Sequence, residues 1–140
     1  MSQPDRDAIP AELRERILAD PWARALGVEV LELGAGYCRM ALRLQPHMVN
    51  FQGTPHGGVV FSLADAAFSA ACNSHGPAAV ALSMTISYLG PARPDARLVA
   101  EARERKQGRR AGFYDIAVTD DRGTLVATVH CVSHRVGPEA

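Results

Sequence analysis

The stretch "NFQGTPHGGVVFSLADAAF", residues 50 to 68, gathers the residue types that could act on a carbonyl group. The first turn of a helix carries unpaired N–H groups and the positive end of the helix dipole. A "HGG" sequence at that point, His56 to Gly58, lets a ligand oxygen approach backbone amides with no side chain in the way. Asn50 lies six residues ahead of His56, and Asp65 falls in the middle of the apolar run that follows. Amide donors, an imidazole, a carboxamide and a carboxylate therefore crowd one short segment.

Between Gly57 and Asn73 nearly every position is apolar or small, so a helix there must be wrapped by the rest of the chain. The exceptions, Ser62, Asp65, Ser69 and Asn73, are spaced by three, four and four and share one stripe. Burying an ionised Asp alone costs several kcal/mol, so Asp65 needs partners, a raised pKa, or a cleft open to water and ligand. A structural carboxylate held by Ser69 and a neighbouring strand would satisfy the first of these options; a reactive one would use the others. Geometry adds a constraint. Asp65 lies eight residues after Gly57, about 12 Å along a helix, too far for one carbonyl to touch both. If both act on one atom, the carboxylate must come from a second copy of the helix, antiparallel across a two-fold axis. Alanines 66, 67, 70 and 71 would permit close approach around that helix, and would equally suit helix–sheet packing.

The surrounding elements follow from periodicity. "PAELRERILA" places Leu13, Ile17 and Leu18 at helical spacing, and "ADPWARALG" has Asp20 as N-cap, Pro21 at the first helical position and Gly27 as the stop. No chemistry is assigned to either segment. From Val28 the period becomes two: "VEVLEL", a Gly-rich turn and "YCRMALRL" read as a hairpin, and after the central helix four further segments look extended. The last two of these are joined by "DDRG", and Gly108 marks the turn before them. Two strands, one long helix and four strands in meander order predict an α+β domain, an antiparallel sheet of about six strands with the helix on one face. One domain is expected over 1–140, with a helical lead over about 1–26, a core over about 27–136 and a frayed "GPEA" tail.

Hydrophobic residues make up 47% and charged residues 21% of 140, with fifteen basic balancing fifteen acidic. That balance supplies no global field for nucleic acid. "MSQPDRDAIPAELRER" lacks the apolar stretch of a signal peptide and no run approaches the ~20 residues of a membrane span, so the expectation is a cytoplasmic protein without membrane partners. Cys38, Cys72 and Cys131 read as reduced core thiols. His130 and His134 of "HCVSH" share one face of a strand with Cys131 on the other, which fits no common zinc framework, and no metal site is expected. His47 and His75 read as solvated, and "GRRAG" lacks the Lys-Ser/Thr of a phosphate-cradling loop.

"NFQGTPHGG" followed by "LAD", with "ALGVEV" before and "SYLGPA" after, resembles the hotdog-fold acyl-CoA thioesterases of the phenylacetic-acid-degradation (PaaI-like) type, over about residues 20 to 136. The resemblance implies a sheet wrapped around one long central helix and hydrolysis of an acyl-CoA thioester. It implies that the Gly57 amide polarises the carbonyl, with Gly58 beside it on the substrate. Asp65 of the partner subunit would attack as nucleophile or activate water. Asn50 would orient substrate or water, and His56 would brace the loop or touch the thioester region. Ser69 is either a partner of Asp65 or a packing residue, and Ser83, read as facing the same way as Ala81 and Thr85, is a candidate substrate contact. Arg109 and Arg110, within the cationic "ARERKQGRRAG" turn, are candidates for the phosphates of coenzyme A. A solvated hairpin tip would explain the same cluster. No cofactor is expected beyond the coenzyme A of the substrate, and the assembly implied is a homodimer, paired into a homotetramer. The acyl group suggested is phenylacetyl or hydroxyphenylacetyl, with medium-chain acyl groups open; Met48, Phe51, Phe61 and Phe68 are candidate lining residues or core. A non-catalytic acyl-CoA-binding module and an enoyl-CoA hydratase are the alternatives on the same fold.

Overall fold

The computed structural model describes residues 8–136; the expected frayed tail at 137–140 lies outside the described residues. Helix α1 spans Ala11–Leu18 and helix α2 Pro21–Leu26. Asp20 caps α2 as its sequence predicts, its carboxylate accepting from the Trp22 amide at 3.0 Å, and Gly27 ends the helix at φ 84°. Strands β1 (Glu29–Gly34) and β2 (Tyr37–Arg43) form the hairpin. The central helix α3 runs Gly57–Asn73, followed by β3 (Ala79–Tyr88), β4 (Arg97–Gln107), β5 (Ala111–Thr119) and β6 (Leu125–Arg135).

All six strands join one antiparallel sheet in the order β1-β2-β4-β5-β6-β3. The expected meander therefore holds only for β4, β5 and β6. After β2 a loop leads into helix α3, which crosses the sheet face and delivers β3 to the far edge, where it pairs with β6 instead of β4. Asn73 fixes that delivery: its carboxamide donates to the Ser69 and Ala79 carbonyls and accepts from the Ala79 amide at 2.9 Å. The last member of the polar stripe is thus spent on the helix–strand corner.

The inner sheet face and α3 make the core. Cys38, Met40 and Leu42 of β2, Leu98, Ala100 and Ala102 of β4, Tyr114, Ile116 and Val118 of β5 and Ala127, Val129 and Cys131 of β6 are all buried against Leu63, Ala64, Ala67, Phe68 and Ala71. Alanines facing alanines bring the helix close to the sheet, and Phe68 meets the Tyr114 ring edge-on at 5.6 Å. The three cysteines are free and buried. His75 is not solvated as expected: its imidazole pairs with Glu104. No helix among the described residues is long and apolar enough to cross a membrane.

Two features of β3 bear on function. It is an edge strand, "AVALSMTISY", with no charged residue and no proline, and Val80, Leu82 and Tyr88 are each half or more exposed. Such an edge is a template for pairing with another strand. A β-bulge between Ala81 and Ser83 also breaks the alternation: Ala81 pairs with the inward Ser133, whereas Ser83 pairs with the outward Val132. Ser83 consequently does not face the same way as Ala81, because the extra residue, Leu82, reverses the sides.

Candidate active site

The loop ahead of α3 is rigid for a reason legible in Asn50. Its side-chain oxygen accepts from the Gln52 amide at 2.9 Å and from the amide and hydroxyl of Thr54 at 3.2 Å, an Asx turn closed by the Asn50 amide on the Thr54 carbonyl. The His56 amide bonds back to Met48, which is buried, so the loop is pinned at both ends. Asn50 in this chain orders the loop through its oxygen, and its side-chain nitrogen has no partner among the described residues.

His56 is the N-cap of α3. Its Nδ1 accepts from the Gly58 amide at 2.9 Å, so the neutral ring carries its proton on Nε2. A side-chain N-cap contributes about 1 kcal/mol. The bond also divides the two glycines: the Gly58 amide is occupied, which removes it as a substrate donor, and the Gly57 amide has no acceptor among the described residues. Gly57 is needed for space as well, since a Cβ there would lie 3.2 Å from the Tyr88 ring, whose hydroxyl donates to the Gly57 carbonyl at 3.0 Å. A Cβ on Gly58 would sit 3.0 Å from His56 Nδ1 and displace the cap. Gly57 lines a cleft of about 310 Å³ together with Pro55, Val60, Tyr88, Leu89 and Val126.

Asp65 opens on a different cleft, of about 280 Å³, lined by Asp20, Trp22, Ser69, Cys72, Ala79, Val80 and Ala81 among others. Its carboxylate has no hydrogen-bond or ion-pair partner among the described residues. Ser69 stands one turn on and lines the same cleft without bonding to it, so the structural reading of Asp65 lacks its partners. Burial, and after it the negative charge of Asp20, pushes the Asp65 carboxyl above the ordinary aspartate range. The Cys72 thiol beside it is pushed up to about 12 by burial and by Asp65 itself, so it stays protonated. A carboxylate that is unpaired, partly desolvated and open to a cleft suits proton abstraction or nucleophilic attack. Asp20→Asn keeps the α2 cap but removes the charge; the acidic limb of the pH–rate profile should move to lower pH in that variant, while an unmoved limb would show that Asp20 does not act on Asp65.

The two clefts lie at opposite ends of β3, one against Ala79, Val80 and Ala81 and the other against Tyr88 and Leu89. Seven residues of strand, about 23 Å, separate Ala81 from Tyr88. One protomer does not bring Gly57 and Asp65 together. The cationic turn falls at the Ala79 end, where Ala111 pairs with His134 and Val80 with the same residue. Within it Arg103 pairs with Glu101 and Arg105 with Asp115, whereas Arg109 and Arg110 are exposed and their guanidinium groups have no partner among the described residues. Trp22 and Asp20 are site-lining residues that sequence reasoning missed; an aromatic residue at the second position of a six-residue helix is the signal that was available. Of the candidate lining residues, Phe68 reaches the Asp65 cleft, Met48 is core and Phe51 is 97% exposed at the loop tip.

A single long helix half-wrapped by a six-stranded antiparallel sheet is the hotdog fold, and the chain belongs to the thioesterase superfamily, whose sequence profile matches residues 52–127. It is thus an enzyme of the thioester-hydrolase class. The chain is 40% identical to acyl-coenzyme A thioesterase PaaI of Escherichia coli over 118 residues, 84% of each chain. The structure of the E. coli PaaI protein from the phenylacetic acid degradation operon superposes with a TM-score of 0.87 at 36% identity, covering 91% of this chain and 94% of that one. A mutant of phenylacetic acid degradation protein PaaI from Thermus thermophilus matches at TM-score 0.80 and 38% identity over 84% of this chain and the whole of that one.

Proposed function

We propose that the protein hydrolyses acyl-CoA thioesters, arylacetyl-CoA or medium-chain acyl-CoA, to the free acid and coenzyme A at a site shared by two protomers. The observation that carries this reading is the Asp65 carboxylate, unpaired among the described residues and open to a cleft, standing eight residues and about 12 Å along α3 from an equally unpaired Gly57 amide. Pairing β3 antiparallel with its own copy, centred near Ser83, sets the Tyr88 end of one strand beside the Ala79 end of the other. The Gly57 cleft of one protomer then meets the Asp65 cleft of its partner, and Val80, Leu82 and Tyr88 leave solvent.

In that arrangement the Gly57 amide, at the positive end of a 17-residue helix, donates to the thioester oxygen and stabilises the oxyanion as it forms. Losing one such donor costs about 3 kcal/mol in activation free energy. Asp65 supplies the other half of the chemistry, as nucleophile on the carbonyl carbon or as base for water, and the thiolate departs readily without a stronger base. The names of the PaaI relatives support acyl-CoA as the substrate and phenylacetate breakdown as the setting. Antiparallel pairing also carries Arg109 and Arg110 of the Asp65 protomer toward the Gly57 end of its partner, where the coenzyme A phosphates would leave the site. Coenzyme A is part of the substrate, and no separate cofactor is required. Two dimers pairing into a tetramer and residence in the reducing cytoplasm, consistent with three buried free thiols, complete the proposal. Thiol release from a panel of acyl-CoAs tests it: turnover is expected with phenylacetyl-CoA, and ligand-dependent thermal stabilisation without any thiol release would instead support a binding module.

A further inference from the structure

Trp22 stands 60% exposed on α2, over the cleft that holds Asp65. We infer that this cleft, between α2 and the middle of α3, receives the acyl half of the thioester, and that Trp22 sets its preference for a flat aryl group. The inference rests on the thioesterase reading above.

A thioester carbonyl has two arms, one leading through sulfur to a phosphate-bearing carrier and the other to the acyl group. Among the described residues, the lining of the Asp65 cleft includes two carboxylates, Asp20 and Asp65, and no cationic side chain. Phosphates are repelled there, so the carrier must leave by the other side and the acyl arm is the one that enters. The remaining lining suits it: two aromatic side chains, Trp22 and the buried Phe68, stand among Ala66, Ala79, Ala81 and Val80. A cavity of about 150 Å³ is enough for benzene in an apolar site; the volume here is about 280 Å³. Beyond it, a second cleft sharing Asp20, Ala66 and Ser69 continues between α1 and α3 past Leu13, Ile17, Met40 and Ala70, with Arg16 of α1 at its wall. The two leading helices thus form one wall of a path that starts at the reactive carboxylate. An exposed indole held by a capped helix offers that path a planar face against which an arene can stack.

Trp22 is the sole tryptophan of the chain, so its emission reports this cleft alone. In the full-length Asp65→Asn protein, phenylacetyl-CoA should shift or quench that emission and free coenzyme A at the same concentration should not. An equal response to free coenzyme A, or no response to the thioester, would overturn the assignment. In kinetics, Trp22→Ala should lower kcat/KM for phenylacetyl-CoA by about tenfold and leave acetyl-CoA within about twofold, with Trp22→Phe restoring most of the loss. A uniform fall for both substrates, or none, would contradict a role in acyl selection. Absence of thiol release from every substrate in the wild type would defeat the thioesterase reading instead, and the emission measurement would still report whether the cleft takes an acyl group.

Discussion

Asp65→Asn is expected to lower turnover by about a thousandfold or more while leaving the assembly intact, the size of effect seen when a reacting carboxylate is made neutral without changing its shape. The same change should not weaken the fold. The Asp65 carboxyl is raised above its ordinary value in the folded chain, chiefly by burial. Above the unfolded value the native state then holds more protons than the unfolded one, so the wild type loses stability as pH rises through the raised value and regains it on acidification. Asn carries no such penalty. At neutral pH the melting temperature of the variant should equal or exceed that of the wild type, and the difference should vanish below the ordinary aspartate pKa of about 3.9. Loss of activity with gain of stability is the signature of a residue kept for chemistry. A variant that melts lower and still turns over would mark Asp65 as structural.

The second large effect lies at the edge of β3. Leu82 is the bulge residue, 66% exposed and away from both clefts, so Leu82→Lys removes little from the protomer's own core. A lysine on an edge strand opposes strand pairing, and two would face one another across a two-fold axis. Sedimentation should show dissociated, folded protomers, and turnover should fall by about a hundredfold or more, because each protomer keeps Asp65 and Gly57 but in separate clefts. A monomer with full activity would show that one chain builds the whole site.

The sequence carried the local physics of the molecule further than its topology. The capped α2, the hairpin, the apolar α3 with its polar stripe, and the strand segments are each set by periodicity and by residues such as Asp20, Pro21 and Gly27, which act within a few positions of themselves. Partner choice between strands does not have that property. Nothing in "VALSMTISYL" says that it pairs with β6, because an apolar strand fits a sheet centre and an unpaired edge alike. Ser83 shares a side with Thr85 but not with Ala81 for a related reason: a period of two holds until a bulge inserts a residue, and Leu82 looks like any other strand residue. The site shows the same division. The types and spacing of Asn50, His56, Gly57 and Asp65 are readable, but the spending of the Gly58 amide on His56 and of the Asn50 oxygen on its own loop depends on backbone angles. Trp22 comes to share a cleft with Asp65 only through the packing of α2 on α3, across more than forty residues.

The shared site itself is tested most directly by mixing two inactive proteins. Asp65→Asn retains the helix-start amide, and Gly57→Val, whose side chain would press on the Tyr88 ring and block the amide, retains the carboxylate. Carried on different affinity tags and purified as the mixed dimer, the pair should recover about half of wild-type turnover per dimer, since one of its two sites is assembled entirely from wild-type groups. Activity in the mixed dimer no higher than in either parent would mean that Gly57 and Asp65 serve one site within a single chain, and the account would be wrong.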